Sequence, residues 1–213
     1  MLLQDKVAVI YGAEGIGGAV AREFAIEGAT VFVTGRNWWP VELVAKEILA
    51  EGGYAEPSVV DDLDGEAVEA HLRSVIRYLG RVDIAFNALD LPDETVLGST
   101  TSAFLTARLA AKHMVVKESG VILIASGPPV HMCSSPSGGA CGPAQAAQEA
   151  MTRALSHELA PDGIRVVGLR VPDVPETETG QIQAHLASTG NPTREITFEE
   201  IAKVAVLVAS DRA

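Results

Sequence analysis

Apolar and polar positions along this chain follow two alternating patterns. Val7-Ala8-Val9-Ile10-Tyr11 is a short unbroken apolar run, as in a strand covered on both faces. After a glycine-bearing stretch, Gly12-Ala13-Glu14-Gly15-Ile16-Gly17-Gly18, the pattern changes to Ile16, Val20 and Phe24, spaced as on one helical face. Ala29 to Thr34 is again a continuous run, so the opening segments predict a βαβ unit. The alternation continues. Val41, Leu43, Val44 and Ile48 mark a second helix closed by Gly52-Gly53, and Ser58-Val59-Val60 a third strand ending at Asp61-Asp62. Val68, Leu72, Val75, Ile76 and Leu79 repeat at helical spacing, and Val82 to Phe86 reads as a fourth strand.

The second half predicts a long helix over about Thr101 to Lys117, a strand at Val121 to Ala125, and a Gly-, Pro- and Ser-rich loop from Gly127 to Gly142. An alanine-rich helix over Ala144 to Leu159 follows, then a strand at Ile164 to Leu169, a short helical stretch at Ile182 to Leu186, and a last helix at Phe198 to Ala209. Strands alternating with helices predict an α/β fold: a Rossmann-type, doubly wound parallel sheet in three layers, as one domain over 1–213. In such sheets ligands sit beyond the carboxyl ends of the strands where the strand order reverses, here between the first and fourth strands. The glycine turn lies there. Without Cβ atoms its backbone can approach a ligand closely, and the helix that follows points free N–H groups at a phosphate.

Composition narrows the partners. Of 213 residues 47% are apolar, and the net charge is −12. That argues against nucleic acid or an anionic membrane as a general partner, so any anion site must be local. No apolar run approaches the ~20 residues of a membrane span. The N-terminus carries no signal-peptide pattern, so the cysteines, Cys133 and Cys141, are expected to be reduced thiols of a cytoplasmic protein. No metal is expected.

Three further stretches are similar to a known family. Gln148-Glu149-Ala150-Met151-Thr152-Arg153-Ala154-Leu155, continuing through Glu158-Leu159-Ala160-Pro161-Asp162-Gly163-Ile164-Arg165-Val166, is the strongest. Gly80-Arg81-Val82-Asp83 with Asn87-Ala88 is the second, and Thr197 to Ala202 with Val208-Ala209-Ser210-Asp211 the third. Together they resemble the short-chain dehydrogenase/reductase family over nearly the whole chain. The resemblance implies a nicotinamide-dependent oxidoreductase acting on a small carbonyl or alcohol. It implies that Gly12, Gly15, Ile16 and Gly17 hold a diphosphate. The turn is one residue shorter than the family's, Tyr11 stands where the family has Thr, and Glu14 adds a negative charge nearby.

Arg36 stands 19 residues past Gly17, where an NAD enzyme places an acid for the ribose hydroxyl. A guanidinium there pairs with a 2′-phosphate, so NADP is favoured over NAD. A solvated surface Arg is the alternative. Asp61 matches the residue that contacts adenine, or else caps the strand end. Asn87 and Ala88 match the turn beside the ribose. Thr177 matches the Thr near the carboxamide and phosphates, or caps a helix. Trp38-Trp39-Pro40, read as a loop, could stack its indoles on adenine, or else one indole packs on the core edge and the other anchors the next helix.

The catalytic positions depart from the family. Its Tyr falls on Cys141, its Lys on Gln145, its Ser on Gly127 (with Ser126 one residue before), and its Asn on Ser99. A phenol and an ammonium one helical turn apart are what that chemistry uses, and neither is present. Ser126 and Cys141 remain as candidate substitutes. A free thiol titrates near ~8.5, and Pro143, read as a helix start, would put Cys141 at a helix N-terminus that favours the thiolate. His131 in the loop is a further candidate, whereas His71, His113, His157 and His185 read as surface or packing residues.

Three functions stay open: an NADP-linked oxidoreductase with an atypical site, a nucleotide-binding pseudoenzyme acting as sensor, regulator or scaffold, and non-redox chemistry at Cys141 or His131. The resemblance also implies a homodimer or homotetramer, with Ala103, Ala107, Ala110, Ala144 and Ala147 read as small outer faces. The segments Asn87 to Ser99 and Thr177 to Thr197 are shorter than the family's, and its seventh strand would begin where the chain stops. Either segments are missing from the sequence as given or the protein is trimmed, and the first is the expectation because a bare sixth strand would be a sticky edge.

Overall fold

A computed structural model describes residues 1–88, 96–127, 138–171 and 196–213, with the backbone alone at 96, 97, 138–142 and 144. Its elements are β1 (Val7–Tyr11), α1 (Ile16–Ile26), β2 (Thr30–Gly35), α2 (Trp38–Ala50), β3 (Tyr54–Val59), α3 (Gly65–Leu79), β4 (Ile84–Asn87), α4 (Val96–Met114), β5 (Gly120–Ser126), α5 (Gly138–Leu159), β6 (Ile164–Arg170) and α6 (Phe198–Ala209). All six strands pair in parallel in the order β3-β2-β1-β4-β5-β6, so the order reverses between β1 and β4 as expected.

The apolar run of β1 is buried at every position because its alternate side chains enter two cores. Ala8 and Ile10 join Ile16, Val20 and Phe24 of α1 and Ala202, Ala205 and Val206 of α6 on one face. Val7, Val9 and Tyr11 join Val68, Leu72 and Val75 of α3, the alanines of α4, and Leu155 and Leu159 of α5 on the other. Asp83 ties the starts of two central strands: its Oδ2 accepts the Val7 N–H at 2.8 Å and its Oδ1 accepts from Arg81.

Several predicted elements are displaced. β3 begins at Tyr54, before the predicted Ser58, because it is an edge strand that tolerates Pro57 and exposed Glu56. α2 begins at Trp38, so Trp38-Trp39-Pro40 is a first helical turn, where Pro lacks no needed N–H, and both indoles are exposed, at 50% and 70%. The readings of these residues as a loop, or as packed on the core edge, are therefore corrected. α5 begins at Gly138, so Pro143 lies inside the helix instead of starting it. The alanine stripe of α4 also faces the other way: Ala103, Ala107 and Ala110 are fully buried, letting the helix press close on the sheet, while Phe104 is 45% exposed. These three alanines therefore do not form a small outer face for a dimer. His71 is a packing residue, edge-on to Phe32 at 6.2 Å between ring centroids.

Helix ends are closed by local chemistry. The Asp64 carboxylate accepts the N–H groups of Glu66 and Ala67 at the start of α3, and Gly80 ends it at φ 75°. Thr197 and Glu200 form a reciprocal capping box on α6, with both bonds at 3.3 Å. At its other end Arg165 of β6 donates to the carbonyls of Val208 and Ser210 at 2.8 and 2.7 Å. Thr197→Ala is expected to cost about 1 kcal/mol, read as a lower urea midpoint with unchanged slope.

Candidate functional site

The site is built where β1 and β4 deliver their ends. Gly12 leaves β1 at φ 94°, its N–H donating to Thr34 O at 2.9 Å, and a Cβ there would stand 2.9 Å from the Ala88 Cβ. Ala88 N–H in turn donates to Tyr11 O at 2.8 Å, so the end of β4 lies against the turn. A Cβ on Gly17 would stand 1.9 Å from Gly12 O. The shortened turn thus closes on itself, and the Gly17 N–H donates to Glu14 O at 3.0 Å. Buried Ile16 anchors its end in the core. Gly15 caps α1 at φ 51° with no side-chain hydrogen bond, and no acid stands in the first turn. Glu14 is exposed.

At the end of β2 the exposed Arg36 has its Nε 3.7 Å from Asp62 Oδ1. Asp61 Oδ1 accepts the Leu63 N–H at 3.0 Å, the strand-end turn anticipated as one of its two roles. Asn87, 4% exposed at the end of β4, donates through Nδ2 to Ser102 Oγ at 2.8 Å and to Thr106 Oγ1 at 3.3 Å. Ser102 Oγ donates onward to Asp62 Oδ2. The amide hydrogens of Asn87 are thus turned toward α4.

Sequence reasoning singled out neither Asp62 nor Ser102 and Thr106. The available signals were the second acid of Asp61-Asp62 and two hydroxyls one helical turn apart. Beneath this chain the Tyr11 hydroxyl is buried without a hydrogen-bond partner among the described residues. Burial, then the charges of Asp62 and Glu69, hold its phenol far above the ordinary range.

The catalytic positions are spread along three elements. Ser126 is the last residue of β5 and is buried, with its carbonyl accepting the Val171 N–H at 2.8 Å. It lines a cleft of about 520 Å³ with Gln148 and Thr152 of α5 and Gly168 and Arg170 of β6. Gly127 follows and is buried. Gln145 is 6% exposed, one turn after Cys141 on α5. Ser99 is half-buried near the start of α4. The Cys141 side chain, His131, Cys133, His185, Thr177 and the stretch Ile182 to Leu186 lie outside the described residues. No described helix is long and apolar enough to cross a membrane.

A family model described as short chain dehydrogenase matches residues 6–185. A 2,3-dihydro-2,3-dihydroxybenzoate dehydrogenase of Bacillus subtilis (strain 168) is 32% identical over 135 residues, covering 57% of this chain and 52% of that protein. Dehydrogenase/reductase SDR family member 1 of Mus musculus is 28% identical over 191 residues, covering 78% and 60% respectively. The chain therefore spans about half to three-fifths of these two curated relatives. The crystal structure of a short-chain type dehydrogenase/reductase from Mycobacterium marinum superimposes with a TM-score of 0.82 at 31% identity, covering 98% of this chain and 89% of that one.

Proposed function

Because the chain belongs to the short-chain dehydrogenase/reductase family, we propose that it is an NADP-preferring oxidoreductase interconverting a small carbonyl compound and its alcohol through an atypical catalytic site. One observation carries this. A turn whose Gly12 and Gly17 leave no room for a Cβ closes at the reversal of strand order, with the Arg36 guanidinium exposed at the end of the next strand. These residues fit a phosphorylated dinucleotide.

Gly12, Gly15, Ile16 and Gly17 would hold the diphosphate, Arg36 the 2′-phosphate, and Asp61 the adenine. Asn87 and Ala88 would sit beside the ribose, and Thr177 at the carboxamide end. The coenzyme, when bound, supplies or accepts the hydride. The chain's part is to orient the substrate oxygen and move its proton, and Ser126 and Cys141 are the groups proposed for that. Ser99, Gly127 and Gln145 occupy the remaining relay positions and offer no charge to tune them.

The empty relay favours a second reading, a nucleotide-binding pseudoenzyme: the buried residue one turn past Cys141 is the neutral Gln145. NADPH fluorescence and thermal shift with NADP test for binding, and a ketone screen with NADPH separates reductase from pseudoenzyme. Arg36→Ala is expected to weaken NADP about 10- to 100-fold by calorimetry while sparing NAD. Where turnover is seen, Ser126→Ala or Cys141→Ala should lower kcat about 100-fold if that group moves the proton. No loss from either removes both from the mechanism.

We further propose a single domain over 1–213, a cytoplasmic setting, and assembly as a homodimer or homotetramer. A monomer by light scattering would contradict the last.

A further inference from the structure

The chain of polar groups behind Arg36 has one acid in it, and that acid has no place in the reading above. Asp62 reaches two elements at once. Its Oδ1 stands 3.7 Å from Arg36 Nε, and its Oδ2 accepts from Ser102 Oγ. Ser102 is 4% exposed on α4, and its oxygen also accepts the Asn87 amide at 2.8 Å, so its single proton is directed to Asp62. Thr106 Oγ1 takes the other Asn87 hydrogen and gives its own proton to Ser102 O at 2.8 Å. The carboxylate is therefore anchored from behind while its other oxygen faces the guanidinium. The Asp62 side chain is 14% exposed and that of Arg36 35%. A charge held this way at the strand ends is screened less than a free surface acid.

We propose that Asp62 sets how strongly this site distinguishes a 2′-phosphate from a 2′-hydroxyl on the adenosine ribose. It draws on the positive charge of Arg36 and places a fixed negative charge beside it. The guanidinium favours the phosphate. The carboxylate repels a doubly charged phosphate but can accept a proton from a hydroxyl. Asp62 is thus a positioning and selectivity residue, and the wild-type site discriminates less than Arg36 alone would make it. This rests on the proposed dinucleotide site.

The test is calorimetric titration of the full chain with NADP and NAD, at low and high salt. Asp62→Asn keeps an oxygen for the Ser102 hydroxyl and removes the charge. Asp62→Val removes both and guards against a fault particular to the amide. In each, the ratio of NADP to NAD affinity is expected to rise about tenfold, less at high salt, and to fall back when Arg36→Ala is added. Damage to the fold is read apart from the ratio, as a lower Tm of the variant. If the wild type binds both coenzymes and the ratio is unchanged or falls in both variants, the assignment to Asp62 is overturned while the dinucleotide site stands. If the wild type binds neither, the site reading fails and this inference falls with it.

Discussion

Gly17→Ala is expected to destabilise the protein by about 3 kcal/mol or more and to weaken coenzyme binding, although local propensity argues the reverse. Alanine in a helix is favoured over glycine by about 1 kcal/mol, and Gly17 is the second residue of α1. The added Cβ, however, would lie 1.9 Å from Gly12 O, 2.9 Å from Gly12 C and 3.0 Å from the Ala88 Cβ. The obstacle is mainly backbone, and that backbone is pinned: Gly12 N–H is bonded to Thr34 O, and Ala88 N–H to Tyr11 O. Overpacking that a rotamer change cannot relieve sits at or beyond the upper end of the usual ~1–3 kcal/mol. The steric term outweighs the propensity term. In a chain of this length the loss corresponds to a Tm lower by roughly 6–12 °C. Thermal unfolding checks it, and a Tm at or above wild type would show that the turn is not packed as described.

The second large effect is on the pH dependence of stability. His71 is 9% exposed, both ring nitrogens lack hydrogen-bond partners among the described residues, and burial pushes its pKa from 6.5 down to about 4. The unfolded chain takes up a proton near 6.5, whereas the folded chain resists until about 4. Between these values the unfolded state binds more protons, so stability is complete above pH 6.5 and declines as pH falls toward 4. At about 1.4 kcal/mol per unit the full loss is on the order of 3 kcal/mol. His71→Leu removes the titrating ring and keeps an apolar side chain against Phe32. Its urea midpoint should match or exceed wild type at neutral pH and should not share the decline between pH 6.5 and 4.5. The Glu69 carboxylate, held below its ordinary range by His113, Arg73 and Lys112 in spite of some desolvation, titrates lower. Parallel pH profiles for the two proteins would disprove the assignment to His71.

How much was legible varied by element, and the reasons are physical. α6 lies where its capping residue and apolar period put it, at Phe198–Ala209, because a capping box and a 3.6-residue stripe are both local. β1 was equally plain, since a strand covered on two faces leaves an unbroken apolar run. β3 was half missed, because an edge strand mixes exposed Tyr54 and Glu56 and half-buried Pro57 with buried Ala55. The start of α2 was missed because its apolar period begins only at Val41, and that of α5 because Pro143 was taken as a boundary, though a helix can absorb a proline slightly beyond its first turn. The alanine stripe of α4 was correctly one face but assigned to the wrong side. Spacing shows that residues share a face, not which neighbour covers it. At the site, the glycines and Arg36 were named from the turn after the first strand and the end of the second, and Asn87 from the family resemblance, whereas Asp62, Ser102 and Thr106 were not named.

That division has a single cause. Periodicity, caps and turns depend on residues within a few positions of one another, so the alternating layers and the β1-turn-α1 unit can be read from the chain, and the reversal of strand order followed from the general rule for doubly wound sheets. The contact from Ser102 to Asp62 joins positions 40 apart, the bond from Asn87 to Ser102 joins positions 15 apart, and the bar on a side chain at Gly17 comes from its packing against Gly12 and Ala88. Such contacts arise only once the sheet has brought the strand ends and α4 together, and the tertiary structure alone supplied them.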